Sequence, residues 1–180
     1  MEDNADGTPI YTLPMKDELT LSRSMIAKES FGEPGLFQEK VLLLLGATGA
    51  GKSTLINTMV NYIMGVKWED GFRFKVAIDE CQTNYITAYT FHPTDGSAVP
   101  YTFMVIDTPG FGDTEGVKRG KEITEQIKKF FSIPPPEGID HLDGIGFVTP
   151  ASQAPLTPTQ EYIFDSILSI FGKDVSKTSS

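Results

Sequence analysis

The stretch that most constrains the fold runs from Lys40 to Thr54 and reads KVLLLLGATGAGKST. Its unbroken apolar run, Val41 to Leu45, has the pattern of a central parallel strand covered on both faces. The run passes directly into Gly46-Ala47-Thr48-Gly49-Ala50-Gly51-Lys52-Ser53-Thr54, after which Leu55, Ile56, Met59, Val60, Tyr62 and Ile63 recur at helical spacing. G-x-x-x-x-G-K-[ST] between a strand and a helix is the pattern of a phosphate-binding loop. Gly46, Gly49 and Gly51 let the backbone curl so that successive N–H groups point inward at phosphate oxygens. Lys52 sets a cation against the outer phosphates, the Ser53 hydroxyl can ligate Mg²⁺, and the helix start adds the partial positive charge of its N-terminus. The helix is expected to end near Gly65 and, being apolar around much of its surface, to be largely buried. The alternative is a glycine-rich turn with no ligand, which the flanking strand and helix disfavour.

A second motif lies about fifty residues on, where an apolar strand ends in Val105-Ile106-Asp107-Thr108-Pro109-Gly110 and continues Phe111-Gly112-Asp113-Thr114. An acid at the carboxyl end of a strand, following a phosphate loop at this distance, can hold Mg²⁺ through water, facing Ser53. Gly110 can offer a backbone N–H to a terminal phosphate, a hydrogen bond that hydrolysis would break. Taken alone, Asp-Thr-Pro-Gly is also an ordinary turn; its order after the loop gives it the second meaning. Tyr85 to Phe91 and Pro100 to Ile106 are rich in aromatic and β-branched residues and flank His92-Pro93-Thr94-Asp95-Gly96-Ser97. The Asp-Gly pair marks a hairpin, so these strands are expected to pair antiparallel at one side of the sheet.

Residues 1–36 show no sustained period and are punctuated by Pro9, Pro14, Gly32, Pro34 and Gly35. They read as a partly ordered leader without chemistry, in which Ile10, Tyr11, Leu13, Leu19 and Leu21 could dock as a short strand or patch. Residues 37–173 form the main domain and 174–180 a polar tail. Between Val66 and Gln82 the pattern weakens; Trp68-Glu69-Asp70-Gly71 looks like a turn, and Phe72, Phe74, Val76 and Ile78 alternate like a short exposed strand. Val117, Ile123, Ile127, Phe130 and Phe131 mark an amphipathic helix that Pro134-Pro135-Pro136 ends. Leu142 to Val148 reads as the next parallel strand. Thr157-Pro158-Thr159-Gln160 is a helix start, with Thr157 as N-cap, Pro158 at the first helical position and Gln160 closing a capping box; Gly172 ends that helix.

The 180 residues suffice for one domain with a real core, and the net charge of -9 argues against a nucleic-acid surface, which needs a basic face. The single cysteine, Cys81, excludes an internal disulfide and fits a reducing compartment. No run approaches the ~20 apolar residues of a membrane span. The acidic start, Met1-Glu2-Asp3-Asn4, is unlike a signal peptide, so a cytoplasmic protein is expected.

The order of strand, phosphate loop, helix, long loop, hairpin, DTPG, helix, strand and helix resembles the GTPase half of the P-loop superfamily. Within it, VIDTPGFGDT and the later LTPTQEYIFDSILSIFGKD are similar to septins and the immunity-associated (GIMAP-type) GTPases, over residues 38–173. The resemblance implies an α/β fold, a P-loop NTPase three-layer sandwich with a mostly parallel sheet and one antiparallel edge hairpin. It also implies GTP or GDP as ligand, Mg²⁺ as cofactor, and a threonine ahead of the second strand that ligates the ion and senses the terminal phosphate. Thr83 and Thr87 both qualify, and spacing back from Asp107 across the hairpin favours Thr87. Lys52, Thr87 and Gly110 are then the residues expected at the reacting phosphate, with Ser53, Asp107 and Thr87 around the ion.

Two departures qualify these expectations. Ras-type GTPases follow DxxG with a glutamine that orients the attacking water. Phe111 stands there and can neither donate nor accept a hydrogen bond, so hydrolysis should be slow or completed by a partner subunit. Members of the resembled branch commonly dimerise across their nucleotide faces. The [NT]-K-x-D motif that reads guanine would follow a further strand, so an incomplete sheet with an open flank at the fourth strand is expected. A slow GTP-dependent switch is the leading expectation. A septin-like assembly module with incidental hydrolysis, a P-loop ATPase or kinase, and a chain that binds nothing stably for want of a base pocket are the alternatives.

Overall fold

The computed structural model describes residues 2–3, 7–76, 84–111, 116–152 and 156–172. In chain order they form β1 (Glu2–Asp3), β2 (Pro9–Thr12), β3 (Lys16–Leu21), a 3-10 turn (Ser22–Ser24), β4 (Ile26–Phe31), β5 (Glu39–Gly46), α1 (Lys52–Ile63) and β6 (Arg73–Lys75). There follow β7 (Ile86–Phe91), β8 (Thr102–Asp107), α2 (Gly116–Ser132), β9 (Gly144–Val148) and α3 (Pro158–Phe171).

Six strands make the main sheet in the order β3-β4-β7-β8-β5-β9. β5 runs parallel to both β8 and β9, with Leu44 beside Asp107 on one side and Gly46 beside Val148 on the other. The apolar run of β5 is buried on both faces, as a central parallel strand requires. Val41, Leu43 and Leu45 face a core made with Ile123, Ile127 and Phe130 of α2 and Ile163 and Ile167 of α3. Leu44 faces a second core made with Ile56, Val60 and Ile63 of α1. Helices therefore cover both faces, and the P-loop NTPase sandwich is the fold. Asp143 pins the start of β9 to β5, accepting from Val41 N–H at 2.8 Å and from Lys40 Nζ at 2.9 Å. The capping box of α3 is formed as the sequence predicts: Thr157 Oγ1 accepts from Gln160 N–H at 3.3 Å, and Gln160 Oε1 accepts from Thr157 N–H at 2.9 Å.

The N-terminal segment departs from the partly ordered leader that its composition suggested. β4 lies parallel to β7, from Ile26 beside Ile86 to Phe31 beside Phe91, and β3 folds back on β4 antiparallel. Ile26 and Ala27 are buried in the main core. Proline and glycine punctuation there marks the ends of short strands. The hairpin of β7 and β8 is antiparallel as expected, with Thr87 opposite Asp107, but it lies inside the sheet because β4 covers its outer side.

Two further expectations are corrected. α1 is buried along one face only, since Leu55 is 37% and Tyr62 67% exposed. The segment around Phe74 is a three-residue strand that pairs parallel with β2 and packs on α1, rather than an exposed strand, and Val76 beyond it is buried. Ile78, Cys81 and Thr83 lie outside the described residues. Among the described residues, no helix is long and apolar enough to cross a membrane.

Candidate phosphate-binding site

The site is built where β5 ends. Gly46 has no room for a side chain, because a Cβ there would stand 2.5 Å from the Val148 carbonyl oxygen of the neighbouring strand. The loop then turns tightly, with Ala50 N–H donating to the Ala47 carbonyl at 3.1 Å, and Gly49 and Gly51 take the left-handed conformation at φ +75° and +101°. Gly51 is the N-cap of α1, so no side chain caps this helix, and its first turn carries no acid. N–H groups and helix dipole at this end thus have no competing anion from the chain's own helix start. Thr48, Ser53 and Thr54 are exposed around the loop and Ala47 and Ala50 half-buried.

Lys52 is buried, 8% exposed, and its ammonium donates to the carbonyl of Gly46 at 3.0 Å and lies 3.5 Å from that of Ala47. Burial pulls its pKa down, and the carboxylate of Asp107 partly restores it. Asp107 ends β8 beside Leu44. Burial pushes its carboxyl up to about 6, against the pull of Lys52 and a hydrogen bond from the Thr108 backbone. Its Oδ1 is sealed from solvent and, among the described residues, has no hydrogen-bond partner. A buried acceptor without a donor is costly unless it serves a ligand. A bound ion's water is the kind of donor this oxygen lacks, so carboxylate and Ser53 hydroxyl fit a hard cation. Among the described residues no cluster of three or more His, Cys, Asp or Glu could hold a metal. An ion here would therefore complete its shell with water and phosphate oxygens, as Mg²⁺ does.

Thr87 stands opposite Asp107 on β7 and is 4% exposed. It thus sits within the ladder itself, beside the candidate ion ligand. Gly110 meets the phosphate loop directly: the three atoms nearest to a Cβ placed there are Oγ1, Cα and N of Thr48, at 2.5, 2.7 and 2.8 Å. The next residue continues this approach, with Thr48 N–H donating to the Phe111 carbonyl at 3.2 Å and Ala47 bridging to Phe111. The Phe111 ring is buried against Phe147 at 5.8 Å, and Phe147 meets Phe164 of α3 at 5.4 Å.

Three interactions at the site were not foreseen from sequence. Thr108 Oγ1 donates to the Leu44 carbonyl at 2.8 Å, tying the strand that carries Asp107 to the strand that carries the loop. Asn84, just before β7, accepts from Arg119 at 2.6 Å through Oδ1 and from Gln126 at 3.2 Å through its carbonyl. This joins the end of the α1–β7 connection to the helix that follows DTPG. Neither interaction follows from local sequence, because each partner is more than thirty residues away. The third, Thr48 against Gly110, was hidden inside a motif position that tolerates any residue.

The sequence of the chain is similar to those of known proteins. A family model described as Septin matches residues 38–132, just over half of the chain. Translocase of chloroplast 90, chloroplastic, of Arabidopsis thaliana is 30% identical over 123 residues, which cover 67% of this chain and 14% of that protein. The chain thus spans about one seventh of that relative's length. No solved structure matches.

Proposed function

The chain belongs to the septin family of P-loop GTPases, and from that premise we propose that it binds GTP and GDP and hydrolyses GTP slowly, as a Mg²⁺-dependent nucleotide switch. One observation carries the reading. The partnerless Oδ1 of Asp107 and the buried ammonium of Lys52 converge beside a helix N-terminus that no side chain caps. Anion, cation and metal each find complementary charge there.

In the reaction, the oxygen of water forms a bond to the γ-phosphorus as the bond to the β–γ bridging oxygen breaks. The electron pair leaves with GDP, and the water's proton ends on the released phosphate. Lys52 turns from its loop carbonyls to the phosphates, and the loop N–H groups hold them in line. Ser53, Asp107 and Thr87 would hold Mg²⁺, which would supply charge neutralisation at the phosphates. Gly110 offers its N–H to the terminal phosphate, and departure of that phosphate releases the DTPG segment.

Burial of the Phe111 side chain favours slow turnover, since no glutamine can act from that position. The same observation supports a second reading, in which bound nucleotide sets assembly across the nucleotide face and hydrolysis is incidental. We place the protein in the cytoplasm, with a second copy as its partner in that assembly.

The test is titration of the chain with fluorescent GTP, GDP and ATP in Mg²⁺, with Lys52→Ala as control. Guanine nucleotides should bind, ATP more weakly, and the variant not measurably. Undiminished binding by Lys52→Ala would refute the site, and tighter binding of ATP would refute the choice of base.

A further inference from the structure

We infer that the hydroxyl of Thr48 positions the attacking water, in place of the glutamine that Phe111 replaces. The inference rests on the GTPase reading above. Phe111 cannot do this work, because its ring is 3% exposed and packed on Phe147. Where a Cβ would stand on Gly110, whose backbone would meet the terminal phosphate, the nearest atom among the described residues, its chain neighbours aside, is Thr48 Oγ1 at 2.5 Å.

The backbone of Thr48 is fixed by its N–H bond to the Phe111 carbonyl, 3.2 Å, and by the Ala47–Phe111 bridge. That anchoring holds the Thr48 backbone against Gly110, with its Cα and N 2.7 and 2.8 Å from the Cβ position. Thr48 is exposed, and among the described residues its hydroxyl makes no hydrogen bond, so it is free to take a water. A hydroxyl can accept from the water while donating to a phosphate oxygen, the two interactions that hold a nucleophile in line. Thr48 acts through the water and does not itself exchange a proton in the balance of the reaction.

Three variants separate positioning from packing. Thr48→Val keeps the shape and removes the hydroxyl, Thr48→Ser keeps the hydroxyl and removes the methyl, and Lys52→Ala reports on the loop itself. Single-turnover hydrolysis of GTP and equilibrium affinity for GTP and GDP are measured on each. Thr48→Val should slow the hydrolytic step about tenfold and change nucleotide affinity less than about twofold. Thr48→Ser should recover most of the lost rate. Equal rates in Thr48→Val and the unmodified chain, including rates no faster than in buffer, overturn the inference. So does a Thr48→Ser rate as low as that of Thr48→Val. Full nucleotide binding by Lys52→Ala is a separate result, which removes the GTPase reading itself.

Discussion

The side chain of Asn61 on α1 and the backbone of Phe74 on β6 exchange two hydrogen bonds: Nδ2 donates to the Phe74 carbonyl at 2.7 Å, and Oδ1 accepts from its N–H at 2.8 Å. One turn earlier, Asn57 Oδ1 accepts from Val76 N–H at 2.8 Å. Two asparagines on a helix thus do for an edge strand what a neighbouring strand would do. Asn61→Ala should cost about 1–2 kcal/mol in urea unfolding, because two partly buried backbone groups lose their partners. The same variant should speed amide exchange at Phe74.

Asp107 gives the nucleotide-free chain a pH dependence of definite sign. Its carboxyl titrates at about 6 in the folded protein, above the ordinary value of 3.8, so between these values the folded state holds more protons than the unfolded. This group's contribution to stability therefore rises as pH falls from about 6 toward 4, and the charge is a burden at neutral pH. Asp107→Asn should stabilise the nucleotide-free chain at pH 7 by roughly 1–3 kcal/mol and remove that part of the pH dependence. The same substitution should weaken Mg²⁺-dependent nucleotide binding. Urea titrations at pH 5 and 7, with and without nucleotide, check both effects.

Phe111→Gln restores the Ras-type residue in sequence but not in space. The position faces Phe147 in the core, so the amide would be buried among aromatic rings. A loss of about 2–4 kcal/mol in stability is expected, with no gain in GTP hydrolysis. Faster hydrolysis by this variant would show that the side chain can reach the phosphates.

Removing residues 1–31 should be far from neutral. The deletion takes away the whole β4–β7 ladder and uncovers Ile86 and Ala88, both fully buried in the intact chain. The shortened chain should aggregate or unfold at markedly lower temperature in a thermal melt, compared with the full chain at equal concentration.

The parts read correctly from sequence are those whose physics is local. The apolar run before Gly46, the glycines of the loop and the Thr157–Gln160 box each carry their reason within a few residues. The sequence allows only a short docked strand before Gly32, because β3 is mostly exposed and shows no clean alternation; the ladder of β4 to β7, more than fifty residues away, sets the place of these strands in the main sheet. Burial of α1 was overestimated because Leu55 and Tyr62 fit a helical apolar pattern, yet their side of the helix is left partly uncovered. At the site, motif spacing picks out Lys52, Asp107 and Gly110 as candidates, while the Thr48–Gly110 approach and the Asn84–Arg119 bond depend on how distant segments meet.

The β3–β4 hairpin also decides how a partner can read this molecule. β7 follows the α1–β7 connection, so its outer edge would be the natural place for a guest strand to sense the state of that segment. In this chain that place is taken from within, by β4. The strand left outermost, β3, exposes Lys16, Asp17 and Glu18 and slips register between Asp17 and Leu19, features that discourage a further strand. Backbone-to-backbone recognition is therefore disfavoured on this flank, which leaves side chains as the better means of reading there whatever the nucleotide changes.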